Sequence, residues 1–228
     1  MRQRSLTSFL IMINVIVFVL MFLFGGLKAF SNPRIYILFG AQIGNLISMG
    51  EWFRLITSMF VHGGLFHIFF NMMALFYVGN IVERAYGPSR LITIYMLSGI
   101  FGNILTHFFI PYAISVGASG AIFGLIGLLF GAGFRHDTPV ILKPITGTAL
   151  LPIILINVIW GFLPGANINN FAHLGGLAVG FTFGWLTPIR YTKTSYKVWK
   201  ILSYIAYGLI ILSFIMLIIF DFRFYILI

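Results

Sequence analysis

Seven apolar runs set the terms on which this chain can fold. They cover residues 9–30, 59–82, 91–111, 119–134, 147–163, 171–188 and 201–220. Most approach the ~20 residues that an α-helix needs to cross a bilayer. Of 228 residues, 60% are hydrophobic and only 8% are charged. A soluble domain carries roughly 25% charged residues. Fourteen Lys/Arg and four Asp/Glu cannot give a chain of this length a water-facing surface. The expected class is therefore an all-α integral membrane protein built as one helical bundle. Three stretches organise it: 1–58, a first helix and a long outer loop; 59–188, the core helices; and 189–228, a basic inner loop and a seventh helix.

The first run is longer than the roughly 7–15 apolar residues of a signal peptide. It is read as a retained helix, preceded by Arg2 and Arg4. The fourth run has 16 residues and rises only ~24 Å at 1.5 Å per residue. Its start is expected below the membrane surface, so that the preceding segment, Pro111 to Ala118, dips into the bundle. Irregular backbone at that depth persists only where it is buried in protein or lines a wet cavity.

Orientation follows from the basic residues. With the N-terminus inside, ten of the fourteen Lys/Arg fall on inner segments and four (Lys28, Arg34, Arg54 and Arg223) on outer ones. That excess matches the positive-inside rule. It also removes nucleic acid as a partner, because the charge of +10 is scattered over loops without a basic patch interleaved with aromatics. The run Arg190 to Lys200 is read as an inner loop against anionic lipid headgroups. The chain has no Cys, which excludes disulfides and Cys-based metal sites.

Polar groups inside spans are costly and mark functional positions by default. His62, His67 and Asn71 are placed in the first half of the second span, Ser119 at the start of the fourth, and Asn169, Asn170 and His173 at the start of the sixth. These spans run in the same direction, so all the groups fall toward the outer side at similar depth. Each alone has a plainer reading: interhelical hydrogen bonds for the His and Asn, and a backbone-bonded packing residue for the Ser. Two stripes of small residues bind the set together. Gly120, Gly124, Gly127 and Gly131 line one helix; Ala172, Gly176, Gly180 and Gly184 line the other. Facing stripes let helix backbones approach closely, which would bring Ser119 near His173 as base activation of a nucleophile requires.

The four acids, Glu51, Glu83, Asp137 and Asp221, are all poorly placed to orient His173. The expectation is a Ser/His pair rather than a triad, with Phe123, one turn after Ser119, packing on the imidazole. His67 and Asn71 share a face at i and i+4 and, with free N–H groups at the helix start, are candidates for oxyanion donors.

At these residues the sequence resembles the rhomboid intramembrane serine proteases over roughly residues 50–185. Gly117-Ala118-Ser119-Gly120 is similar to the family's G-x-S-G nucleophile motif, and Ala172-His173-Leu174-Gly175-Gly176 to its A-H-x-x-G base motif. His67 to Asn71 is similar to the H-x-x-x-N oxyanion pair. Glu51-Trp52-Phe53-Arg54 resembles the Trp-Arg element of the first long loop, and Glu83-Arg84 a structural element at the inner end of the second helix. The resemblance implies a six-helix rhomboid-like bundle with one extra C-terminal transmembrane helix. It implies Ser119 and His173 as catalytic residues and His67 and Asn71 as oxyanion donors, with Gly117, Gly120, Phe123, Trp52 and Arg54 supporting them. It implies single-pass transmembrane proteins as substrates, admitted near Trp160 to Asn170, and no cofactor. The expected location is the cell membrane, with a cytoplasmic N-terminus and the active site toward the outer leaflet. The competing reading is a non-proteolytic rhomboid-like binder of transmembrane helices. A transporter would be expected to show paired repeats, and a zinc hydrolase an H-E-x-x-H motif; neither feature is present.

Overall fold

The structure is a computed structural model that describes residues 5–166 and 168–226, with side chains up to residue 220. Arg2 and Arg4, read above as marking the inner side, lie outside the described residues, as does the side chain of Arg223. Seven main helices are described. They are α1 (Leu6–Gly25), α2 (Leu65–Tyr86), α3 (Pro88–Phe109), α4 (Ser119–Ala132), α5 (Leu151–Gly161), α6 (Asn170–Leu186) and α7 (Lys193–Ile226). Five segments are long and apolar enough to cross a membrane, among them Val140–Gly161, which includes α5. The chain is thus a multi-pass, all-α membrane protein. Among the described residues the sole extended pairing is an isolated antiparallel bridge, Gln42 with Ser115.

Helices α3, α4 and α6 form the centre of the bundle, with α6 against both of the others. Helix α1 packs on α2, and α7 packs on α3. Helix α5 is peripheral, with Ile154 its single buried residue. Helix α4 has 14 residues and rises ~21 Å, short of the ~30 Å hydrocarbon core. The dip expected for 111–118 is present as an irregular segment. It is stitched to the loop between α1 and α2 by Gln42 N to Ser115 O at 3.0 Å, Ser115 N to Gln42 O at 2.9 Å and Gly44 N to Pro111 O at 2.8 Å.

Two helix starts and one helix interior depart most from the sequence reading. Helix α2 starts at Leu65, six residues later than expected, because residues 54–60 form separate short turns, Arg54–Thr57 and Ser58–Phe60. His62 therefore lies in the turn before α2 rather than within it. Helix α2 also contains a π-helical turn, Leu75–Gly79. Helix α7 starts at Lys193, so Lys193, Lys197 and Lys200 lie on its first turns, and the loop before it is confined to 187–192. Long Lys stems can lie along apolar surface while their charge reaches water, which is how a basic run continues a spanning helix.

Charged residues hold the loop between α1 and α2 together. Arg54, part of the expected interfacial Trp-Arg element, is buried and ion-paired with Glu51. Its Nη1 donates to Ile37 O at 2.6 Å and Ala41 O at 3.2 Å. Trp52 is exposed beside it. At the other side of the molecule Glu83 accepts from Leu6 N at 2.7 Å and Thr7 N at 2.9 Å, and from the hydroxyls of Ser5 and Thr7. Those N–H groups open α1 and have no partner within the helix, so Glu83 caps α1 from α2.

Candidate active site

The two small-residue stripes face each other. A Cβ on Gly120 would sit 3.1 Å from Ala172 O, and one on Gly124 3.3 Å from Gly176 O. On Gly127 it would lie 2.9 Å from Phe181 N, and on Gly184 3.0 Å from Ala132 N. A Cβ on Gly176 or Gly180 would overlap the carbonyl of Gly120 or Gly124. Bare helix backbones are therefore in contact along the whole α4–α6 seam. A methyl group on Gly176 or Gly180 would push the two helices apart.

At the Ser119 end of this seam Phe123 of α4 stacks on His173 of α6, with ring centroids 4.2 Å apart and planes within 9°. Both residues are buried, whereas Ser119 is partly open. No hydrogen bond joins Ser119 to His173, and His173 Nδ1 has no partner. Hydrophobic stacking, rather than a carboxylate, thus fixes the ring's plane. Catalytic hydrogen bonds are often long in unliganded enzymes and tighten when substrate binds.

Ser119 is the first residue of α4, after Ala118 as N-cap. The first bond of the helix ladder runs from Ile122 N to Ala118 O at 3.0 Å, so the N–H groups of Ser119, Gly120 and Ala121 have no partner within the helix. Gly117 N donates to Ser58 O at 2.9 Å, which anchors the approach to Ser119. Gly117 adopts φ +118°, and a Cβ there would lie 2.7 Å from His67 Nε2. The His67 ring thus lies directly against the backbone preceding Ser119. Its Nδ1 accepts from Gly63 N at 3.3 Å. A neutral imidazole that accepts at Nδ1 carries its proton on Nε2, the atom facing the Gly117 side. Asn71 donates to His67 O at 2.9 Å, which leaves the second N–H of its amide for another acceptor.

A model of the Rhomboid domain matches residues 49–190, more than half of the chain. The chain belongs to the rhomboid family. This rhomboid is 41% identical over 179 residues to Rhomboid protease GluP of Bacillus subtilis, a match covering 78% of the chain and 34% of GluP. It is 39% identical over 142 residues to the putative rhomboid protease YdcA of the same organism, covering 61% of the chain and 69% of YdcA. It is 38% identical to RHOMBOID-like protein 4 of Arabidopsis thaliana, covering 66% of the chain and 38% of that protein. The chain thus spans little more than a third of the length of GluP and RHOMBOID-like protein 4.

Several groups around the site of this rhomboid escape a reading by span. His62 is fully buried with both ring nitrogens unpaired, and its ring meets His67 edge-on at 5.1 Å. Asn103 donates to Leu55 O at 2.8 Å and Ser58 Oγ at 3.0 Å, while its own carbonyl accepts from Gln42 Nε2 at 2.7 Å. Asn169 caps α6 by accepting from Ala172 N at 3.0 Å, and donates to Thr106 Oγ1 at 2.8 Å and Ser115 Oγ at 2.9 Å. Asn170 donates to Val158 O at 3.1 Å, tying α6 to α5. Of these, Asn169, Asn170 and His62 were visible as intramembrane polar groups; Asn103, inside the third apolar run, bears the same mark without naming its partners, and Gln42 and Ser58 have no such signal.

Proposed function

We propose that this rhomboid is an intramembrane serine endopeptidase that cuts transmembrane segments of membrane proteins through a Ser119/His173 dyad. The observation that carries it is the stack of Phe123 on His173 across a seam of touching backbones. Phe123 lies one helical turn after the partly open Ser119 at the N-terminus of α4, so the buried imidazole stacked on it supports the pairing of His173 with Ser119. The relatives named rhomboid protease support the same reading.

In this mechanism His173 takes the proton of Ser119 Oγ as the oxygen attacks the scissile carbonyl, forming the tetrahedral adduct. His67 Nε2–H, the free N–H of Asn71 and the unpaired N–H groups at the start of α4 surround the oxyanion, which the positive end of the helix also favours. His173 then protonates the leaving amine. Water, activated by the same histidine, attacks the acyl-enzyme and returns Ser119 to its starting state. With the N-terminus cytoplasmic, this chemistry lies toward the outer leaflet, below the level where longer helices end. Substrates are single-pass proteins whose helix unwinds near that level.

The test is cleavage of a membrane-protein substrate by the chain purified in detergent. Wild type is expected to cut, and Ser119→Ala and His173→Ala to show no product. Full activity in either variant overturns the assignment. Asn71→Ala is expected to lower kcat by ~10²–10³, the usual loss on removing one oxyanion donor. The absent Ser119–His173 hydrogen bond is the observation that favours a non-proteolytic binder of transmembrane helices. That reading is upheld if a serine-directed fluorophosphonate labels wild type no faster than Ser119→Ala.

A further inference from the structure

Helix α7 lies outside the α3–α4–α6 centre, yet it carries a packing seam from end to end. Trp199, Ser203, Ala206, Ile210, Ser213 and Leu217 are all buried and recur at alternating steps of four and three. An average step of about 3.6 residues, one helical turn, puts them all on one face laid against neighbours along its length. The 18 steps from Trp199 to Leu217 rise ~27 Å, close to the thickness of the hydrocarbon core. A helix serving only to anchor the chain in lipid has no need of such a face.

The two ends of the seam are fixed differently. At one end Trp199 packs against Phe183 of α6 at 5.7 Å, and the buried Arg90 guanidinium lies 5.6 Å from the Trp199 ring and 3.7 Å from that of Tyr191. At the other end α7 leaves the helical core and packs on the outer loop. Phe214 meets Phe60 at 5.5 Å, and Phe220 meets Phe53 at 5.3 Å. Leu217 Cδ2 lies 3.1 Å from where a Cβ on Gly40 would be. Phe53 and Phe60 are completely buried and bracket Ser58, whose carbonyl holds Gly117 N at 2.9 Å. Gly117 stands two residues before Ser119. A short path therefore leads from Phe214 through Phe60, Ser58 and Gly117 to the nucleophile.

We propose that α7 is a positioning element of the Ser119 site, acting through the Phe53–Phe60 segment that its outer half holds in place. The proposal rests on the serine-protease reading above. Phe214 is its principal contact and Leu217 its second.

The full chain is compared as wild type, Phe214→Ala, Leu217→Ala, Phe214→Leu and Ile218→Ala, the last on an exposed position of the same helix. Three quantities are read: kcat and KM on a membrane-protein substrate, the rate of fluorophosphonate labelling of Ser119, and amide exchange at Gly117. Phe214→Ala is expected to lower kcat and labelling by between about tenfold and a hundredfold, the loss that follows from misplacing a reacting group. KM should hold and exchange at Gly117 should quicken. Leu217→Ala should shift the same quantities by less, Phe214→Leu should restore most of the rate, and Ile218→Ala should match wild type. Wild-type kcat, labelling and exchange in a folded Phe214→Ala overturn the proposal, as does an equal loss in Ile218→Ala. If Phe214→Ala does not fold, Leu217→Ala decides by the same criteria. Gly117 exchange needs neither substrate nor nucleophile, so it tests α7 even where Ser119→Ala still cleaves and the protease reading has failed.

Discussion

At Gly117 two demands coincide. Its φ of +118° lies where L side chains are rarely found, and its missing Cβ leaves the space that the His67 ring occupies. Strain of this kind costs on the order of 1–3 kcal/mol, and the collision would also displace His67 Nε2. Gly117→Ala is therefore expected to lower kcat more than the unfolding temperature in detergent, whereas a purely structural glycine would lower both together. Phe123 and His173 were readable as a pair, because each follows its neighbours at helical spacing on a helix with a clear small-residue stripe. His62 was assigned to the wrong element. It sits in a turn, where no periodicity tells which way a side chain faces, and only the fold shows it buried against His67. Ser58 carries no sequence signal, and Asn103, though a polar residue inside the third apolar run, does not announce its partners, which come from segments dozens of residues away.

At the scale of the element, glycine content alone does not say which helices touch. Gly176 of α6 meets the carbonyl of Gly120, but Gly208 of α7 has nothing within 4 Å of its missing Cβ. Gly176→Ala must separate α4 from α6, and overpacking typically costs ~1–3 kcal/mol. Gly208→Ala meets open space and should be neutral or gain up to about 1 kcal/mol from the better helix former. Thermal unfolding of the two variants in one detergent tests this contrast, and a loss at Gly208 matching that at Gly176 would contradict the contact map. The stripes of α4 and α6 were legible because four-and-three spacing of small residues has one geometric meaning in a helix. The start of α7 was misread for the opposite reason. Three lysines within eight residues resemble a loop by composition, and the first turns of a membrane helix tolerate them because the charges reach the surface.

Across the whole molecule the polar contacts gather at the two ends of the bundle. At one end Arg54 and Glu51 close the loop between α1 and α2, and Asn103, Gln42 and Asn169 pin the segments that frame Ser119. At the other, Arg90 donates to Pro188 O at 2.8 Å, Ile189 O at 2.9 Å and Ser195 Oγ at 3.2 Å, fastening the 187–192 loop to the start of α3. Hydrogen bonds from charged groups contribute about 1.5–3 kcal/mol each. Arg90→Ala is expected to lower unfolding stability by at least one such increment while leaving labelling of Ser119 in the folded fraction unchanged; a labelling defect without a stability change would show that the inner end reaches the site. Composition and span count announced the helical membrane class directly. The fastening of the loops was hidden, because a lone Arg in a hydrophobic sequence does not reveal which carbonyls it will meet.

Helix α2 joins these two ends, and its π-helical turn, Leu75–Gly79, sets the angle between them. Its outer part presents His67 beside Gly117, and its inner part presents Gly79 and Glu83 to the first turn of α1. A regular helix advances ~100° per residue, and a π turn holds one residue more than the α-helical register allows. Helix α2 thus behaves like a shaft whose two keys are cut out of phase by about a quarter turn. Removing one residue from 75–79 would straighten the shaft and leave a sequence identical at every named site. It would also force a choice between His67 meeting the nucleophile loop and Glu83 meeting α1.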